Sequence, residues 1–122
     1  MYLVGAPHPC KVDAQRALEQ SIAQNQRLVS DAEVLQEILH RYRAINRPEA
    51  IQPALDALLG VVDEVYPVEE QDVLSAKDIL LGSPRLSSRD ALHVSIMRRY
   101  AVSQILSFDE GLDGLPGIRR LR

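Results

Sequence analysis

Three acidic residues stand out by their surroundings. Glu37 ends the run Ser30-Asp31-Ala32-Glu33-Val34-Leu35-Gln36-Glu37, Asp90 lies in Leu86-Ser87-Ser88-Arg89-Asp90-Ala91-Leu92-His93, and Asp109 closes Ile105-Leu106-Ser107-Phe108-Asp109. Each follows a short apolar run or falls in the first turns of a helical pattern, where open α/β sheets place their ligands. Carboxylates that converge on one point repel one another unless a cation or protons compensate. A divalent-cation site that cuts phosphate esters needs such a set.

Each residue also has an ordinary reading. Asp90 is on one helical line with Val94 and Met97, and a carboxylate bordering a buried face is costly unless paired, capped or bound to metal. Alternatively, Ser87 and Asp90 form a capping arrangement at a helix start, where negative charge is favoured. Glu37 lies one turn beyond Glu33 on the flank of an apolar stripe and is equally readable as a solvated glutamate. Asp109, with Asp113 four residues on, is readable as a turn-forming aspartate. His93, three residues after Asp90, is either a general base or a half-buried residue bonded to Asp90 or a carbonyl. His8 and His40 read as surface residues. Arg41-Arg43, Arg98-Arg99 and Arg119-Arg120-Arg122 suit phosphate contacts through the planar guanidinium. The first two pairs also sit near helix C-termini, where cations are favoured anyway.

The elements that position these residues follow from periodicity. Residues 11–24 read as a helix. Arg27-Leu28-Val29 is a strand candidate, and Ser30 with Glu33 forms a capping box. The helix it opens carries Val34, Leu35, Ile38, Leu39 and Tyr42 on one face and should end near Arg47-Pro48. Residues 49–59 form another helix, with Pro53 in its first turn and Gly60 as its stop. Val61 to Tyr66 is a strand candidate. Residues 69–81 and 88–101 are helices, the second nearly apolar all round until Arg98-Arg99. Gln104 to Ser107 is a strand, 109–117 a turn-rich loop and Ile118 to Leu121 a last strand. Helices alternating with short strands predict a parallel sheet with helices on both faces, an α/β fold.

Bulk properties agree. The chain has 122 residues, enough for one domain. Hydrophobic content is 46% with only five aromatic residues, so aliphatic side chains must fill the core. The net charge of -3 disfavours a general nucleic-acid coat but is compatible with a nuclease, because an acidic metal site itself lowers the charge. Of 14 basic residues only Lys11 and Lys77 are lysine. Cys10 is alone, so there is no disulfide framework or Cys/His zinc pattern, and a reducing, cytoplasmic setting is expected. No run approaches the ~18 apolar residues of a membrane span, and Met1-Tyr2-Leu3-Val4 has no basic flank of a signal peptide.

Together these segments resemble the PIN-domain ribonucleases, most closely the VapC toxins of bacterial toxin–antitoxin pairs. Leu28-Val29-Ser30 followed by Glu33-Val34-Leu35-Gln36-Glu37 looks like the family's second strand and the helix with its acidic residue. Ser88-Arg89-Asp90-Ala91-Leu92-His93 looks like the late-helix aspartate motif, and Ile105-Leu106-Ser107-Phe108-Asp109 like the strand delivering the last aspartate. The match covers nearly the whole chain. The resemblance implies a PIN-like three-layer fold over residues 1–122. It also implies Glu37, Asp90 and Asp109 as catalytic ligands of Mg²⁺ or Mn²⁺, directly or through water. The implied activity is hydrolysis of RNA phosphodiesters by an endoribonuclease toxin, with a cognate small antitoxin and a homodimer as partners and no membrane. The family opens with a strand ending in Val-Asp-Thr/Ser-Asn/Ser. Nothing of the kind precedes Tyr2-Leu3-Val4-Gly5, so the expectation is that the central first strand and first aspartate are missing and that Met1 is not the natural start. The alternative function is therefore a truncated PIN domain that binds an antitoxin or itself without cutting. A phospho-receiver domain is set aside, because Lys11 and Lys77 lie in predicted helices and not at a late strand end.

Overall fold

The computed structural model describes residues 2–5, 27–106 and 112–121. The helix expected over 11–24, together with His8, Cys10 and Asp109, lies outside the described residues. The elements in chain order are β1 Tyr2–Val4, β2 Leu28–Asp31, α1 Ala32–Ala44, a 3-10 turn at Pro48–Ala50, α2 Ile51–Val61, β3 Glu64–Tyr66, α3 Glu70–Leu81, α4 Ser88–Arg99, β4 Gln104–Leu106 and β5 Arg119–Leu121. The strands form one parallel sheet in the order β3-β2-β1-β4-β5. The order reverses at β1, which puts a topological switch point between β1 and β4.

Helices cover both faces of this sheet. Side chains alternate along a strand, and the buried residues follow that rule. Leu3 of β1 and Val29 of β2 are paired in register and belong to a core with Ala91, Val94, Ile96 and Met97 of α4 and Ala76 of α3. Val4 and Leu28, each one residue away, belong to the opposite core with Val34 and Ile38 of α1 and Leu58 of α2. Tyr66 and Ile105 extend the first core across the sheet.

Tyr2–Val4 fills the central position expected to be vacant. Leu3 and Val4 are buried on opposite faces, as a central parallel strand requires. Ser30 is not the cap of α1. It is still in β2 and donates its hydroxyl to Val4 O at 3.0 Å, while Asp31, with extended φ of -135°, caps the helix.

Other boundaries move for local reasons. Helix α1 ends at Ala44 because Asn46 adopts φ 57°, with Arg47 N–H bonded to Tyr42 O and Asn46 N–H to Arg43 O. That is a Schellman motif. Helix α4 ends the same way: Ala101 takes φ 57°, Val102 N–H reaches Met97 O and Ala101 N–H reaches Arg98 O. Pro53 is the third residue of α2, where its missing N–H removes no intrahelical bond. Gly60 does not stop α2, which runs to Val61, so β3 begins only at Glu64. Asp63 brackets Leu28 between its backbone N–H and its carboxylate. Among the described residues no helix is long and apolar enough to cross a membrane.

Candidate active site at the carboxyl edge of the sheet

The alternation that buries Val29 under α4 also aims Asp31, two residues on, at the same helix. Asp31 ends β2 and is fully buried. Its Oδ1 accepts the Val34 N–H at 3.0 Å, which caps α1. Its Oδ2 accepts from His93 Nδ1 at 2.6 Å. Glu37, one turn further along α1 than Glu33, takes the other ring nitrogen: His93 Nε2 lies 2.8 Å from Glu37 Oε1. His93 is buried, and Glu37 keeps 12% of its side chain exposed.

Two carboxylates can only accept, so the ring between them donates from both nitrogens and is an imidazolium. Burial acts against that charge. The hydrogen bonds and charges of Asp31 and Glu37 outweigh it and raise the His93 pKa from 6.5 to about 10. A doubly donating ring has no lone pair to take a proton. In this arrangement His93 is therefore not a general base, and its partners are Asp31 and Glu37 where Asp90 or a carbonyl was expected.

Asp90 lies in the first turn of α4, whose N-cap Ser87 accepts the Asp90 N–H at 3.2 Å. It is half-buried beside the fully buried Val94 and Met97 and precedes His93 by three residues, about one turn. Its backbone N–H is thus part of the expected capping arrangement with Ser87. Glu33 belongs to the same electrostatic neighbourhood. Burial raises its pKa, the His93 and Arg89 charges oppose the rise, and Glu37 and Asp31 add to it.

The structure thus joins Glu37 of α1 to His93 of α4, about one turn beyond Asp90. Asp109 follows β4 in sequence and lies outside the described residues. Asp31 is the member that sequence reasoning missed. Its one signal was its spacing from Val29, but Ser30 and Asp31 are both good N-cap types, so sequence did not separate them.

Arg99 belongs elsewhere. Its guanidinium reaches Glu69 at 3.1 Å and the buried Asp72 at 3.2 Å, and lies 4.5 Å from the Tyr100 ring centroid. Tyr100 stacks on Tyr66 at 3.8 Å. Arg98 donates to Pro116 O, and Arg41 and Arg43 lie in the last turn of α1. Of the arginine pairs considered for phosphate, Arg99 is thus a clasp between α3 and α4. His40 is exposed, as expected.

Comparison with known proteins agrees with the fold. The family model of the PIN domain matches residues 1–118. Ribonuclease VapC13 of Mycobacterium tuberculosis is 60% identical over 121 residues, covering 99% of this chain and 92% of its own. Mycobacterium tuberculosis VapC20, a Sarcin-Ricin loop cleaving toxin, superposes with a TM-score of 0.70 at 18% identity, over 98% of this chain and 99% of its own. VapBC2 from Rickettsia felis, bound to a DNA fragment from its promoter, does so with a TM-score of 0.71 at 15% identity, over 98% and 96%. These two likenesses are of fold.

PIN-domain ribonucleases depend on divalent metal, and the donors here suit one in kind. Carboxylate oxygens are hard ligands, and a small hard cation needs only one or two of them beside its waters and substrate phosphates. Among the described residues no three His, Cys, Asp or Glu side chains form a group that holds an ion by itself. The carboxylates described here, Glu37 among them, suit a sparse site of that kind and not an all-protein cage. By its match to the family over nearly its whole length, and by its identity to VapC13, the chain belongs to the PIN-domain family, among the VapC-type ribonucleases.

Proposed function

We propose that residues 1–122 act as one PIN-like domain, the endoribonuclease toxin of a type II toxin–antitoxin pair. It hydrolyses RNA phosphodiesters with Mg²⁺ or Mn²⁺, and Glu37, Asp90 and Asp109 are the residues that hold the ion. The supporting observation is the hydrogen bond from His93 to Glu37, which draws α1 against the first turns of α4, where Asp90 lies. When bound, the cation supplies positive charge to the phosphate under attack. The chain's own part is to orient and to select. Asp31 holds the His93 ring, the ring holds Glu37, and Asp90 lies in the first turn of α4, where negative charge is favoured. The acidic edge repels phosphate, so substrate and cation are expected to bind together.

The expected partners are RNA, a small antitoxin whose basic or amphipathic segment lies over the acidic edge, and a second copy of the chain. The test is cleavage of a structured RNA in Mg²⁺ or Mn²⁺, with excess EDTA and Asp90→Asn as controls, followed by co-purification with the neighbouring small reading frame. Undiminished cutting in EDTA or by Asp90→Asn overturns the assignment. Antitoxin capture without any cutting favours the second reading, a PIN domain that binds and does not cleave.

A further inference from the structure

His93 stands in a closed circuit. Asp31 at the end of β2 caps Val34 in the first turn of α1, and Glu37 lies about one turn further along the same helix. His93 on α4 joins the two carboxylates at 2.6 and 2.8 Å. The ring is buried, both its nitrogens are engaged, and its Asp31 anchor is fully buried. A glutamate side chain is otherwise free to rotate, and holding it costs rotamer entropy. Here that ordering is done before any cation arrives.

We infer that His93 is a positioning residue for Glu37: it holds Oε1 and leaves Oε2 as the oxygen offered to a cation. This rests on the reading of Glu37 as a ligand. Groups behind a metal's ligands orient them, and this one also sets denticity. With Oε1 engaged, Glu37 binds through one oxygen. Small octahedral ions suit that mode, whereas Ca²⁺ takes carboxylates in either mode and fills a looser shell. His93 therefore favours Mg²⁺ or Mn²⁺ over Ca²⁺.

Two substitutions separate the halves of the ring. A Gln amide nitrogen reaches the place of imidazole Nε2, and an Asn amide nitrogen reaches that of Nδ1. His93→Gln keeps a donor for Glu37 and loses the bond to Asp31; His93→Asn does the reverse. A merely structural histidine gives no reason for the two to differ in cation binding.

The experiment is calorimetric titration of Mn²⁺ and Ca²⁺ into wild type and both variants. His93→Asn is expected to weaken Mn²⁺ binding about 10- to 100-fold and to narrow the preference over Ca²⁺. His93→Gln should stay much closer to wild type on both counts. Equal losses, no losses, or a larger loss in His93→Gln overturn the inference. Should a variant fail to fold, wild type alone suffices. On titration with Mg²⁺ the ¹⁵N resonance of His93 Nε2 should move more than that of Nδ1, and an unmoved Nε2 at saturation overturns the inference. Wild type that binds no Mn²⁺ defeats the ligand role of Glu37 and the inference with it. Wild type that binds while the variants match each other defeats the inference alone.

Discussion

Asp31 Oδ2 lies 2.6 Å from His93 Nδ1, with both side chains buried and with the other oxygen of Asp31 capping α1. One carboxylate thus ties a helix start to a helix on the far side of its strand. Asp31→Ala removes the cap and strands a buried cation, and should destabilise the chain by about 3–5 kcal/mol. Asp31→Asn keeps a capping oxygen and should cost less. Urea denaturation checks the order, and equal midpoints for the two variants would contradict it.

The His93 pKa, raised to about 10, makes stability depend on pH. The folded chain holds this proton more tightly than the unfolded chain, where histidine titrates near 6.5. Between those values the native state binds more protons, so stability falls as pH rises. The contribution is complete below about pH 6.5 and disappears as pH passes through about 10. Urea midpoints of the protein in EDTA should decline over this window, and His93→Gln should flatten the decline. A midpoint that rises with pH in wild type would refute it.

Asp90→Asn keeps the shape and the backbone cap from Ser87 while removing a charge. RNA cleavage should fall by more than about 100-fold if the lost metal interaction is worth several kcal/mol. The circular dichroism spectrum should stay that of wild type. A variant that is inactive because it is unfolded would not count in favour, so both readings must be taken on one preparation.

Arg99 separates structure from RNA binding. Arg99→Ala removes the partner of buried Asp72 and the cation over Tyr100. Its side chain is 22% exposed, so a loss of roughly 2–3 kcal/mol is expected, below the range for fully buried pairs. RNA cleavage per folded molecule should be unchanged. A selective rise in KM for RNA with stability intact would restore the phosphate role.

Ala101 sits at φ 57°, where the Schellman motif ending α4 ordinarily takes glycine. Ala101→Gly relieves the left-handed strain and loses part of the gain to unfolded-chain entropy. A net stabilisation of about 0.5 kcal/mol is expected. Thermal unfolding measures it, and a lower Tm would show that the strain is absorbed elsewhere.

The amino-acid sequence by itself determined the order of elements from β2 to β5, because the apolar stripe of α1 and the short apolar runs bounded by turn residues are local. It left out Tyr2–Val4, which only the sheet reveals as the central strand. Helix α3 came out within one residue, since its capping box of Glu69 with Asp72 is local. Glu37, Asp90 and Asp109 were picked together for their place near strand ends and helix starts, which local pattern also carries; Asp109 lies outside the described residues. Of the boundaries that moved, the end of α4 depended on a left-handed Ala101, which its residue type does not announce, and the end of α1 on Asn46, which tolerates that conformation without requiring it. Which of Ser30 and Asp31 caps α1 was decided by the sheet, because Ser30 is claimed by Val4 O across β1 and β2. The role of His93 was decided only in three dimensions. Its partners lie on β2 and α1, far away in sequence, and hydrogen-bond pairing between distant elements leaves no periodic trace in the chain. Tertiary packing alone turned a histidine three residues after Asp90 into the donor that joins Asp31 to Glu37.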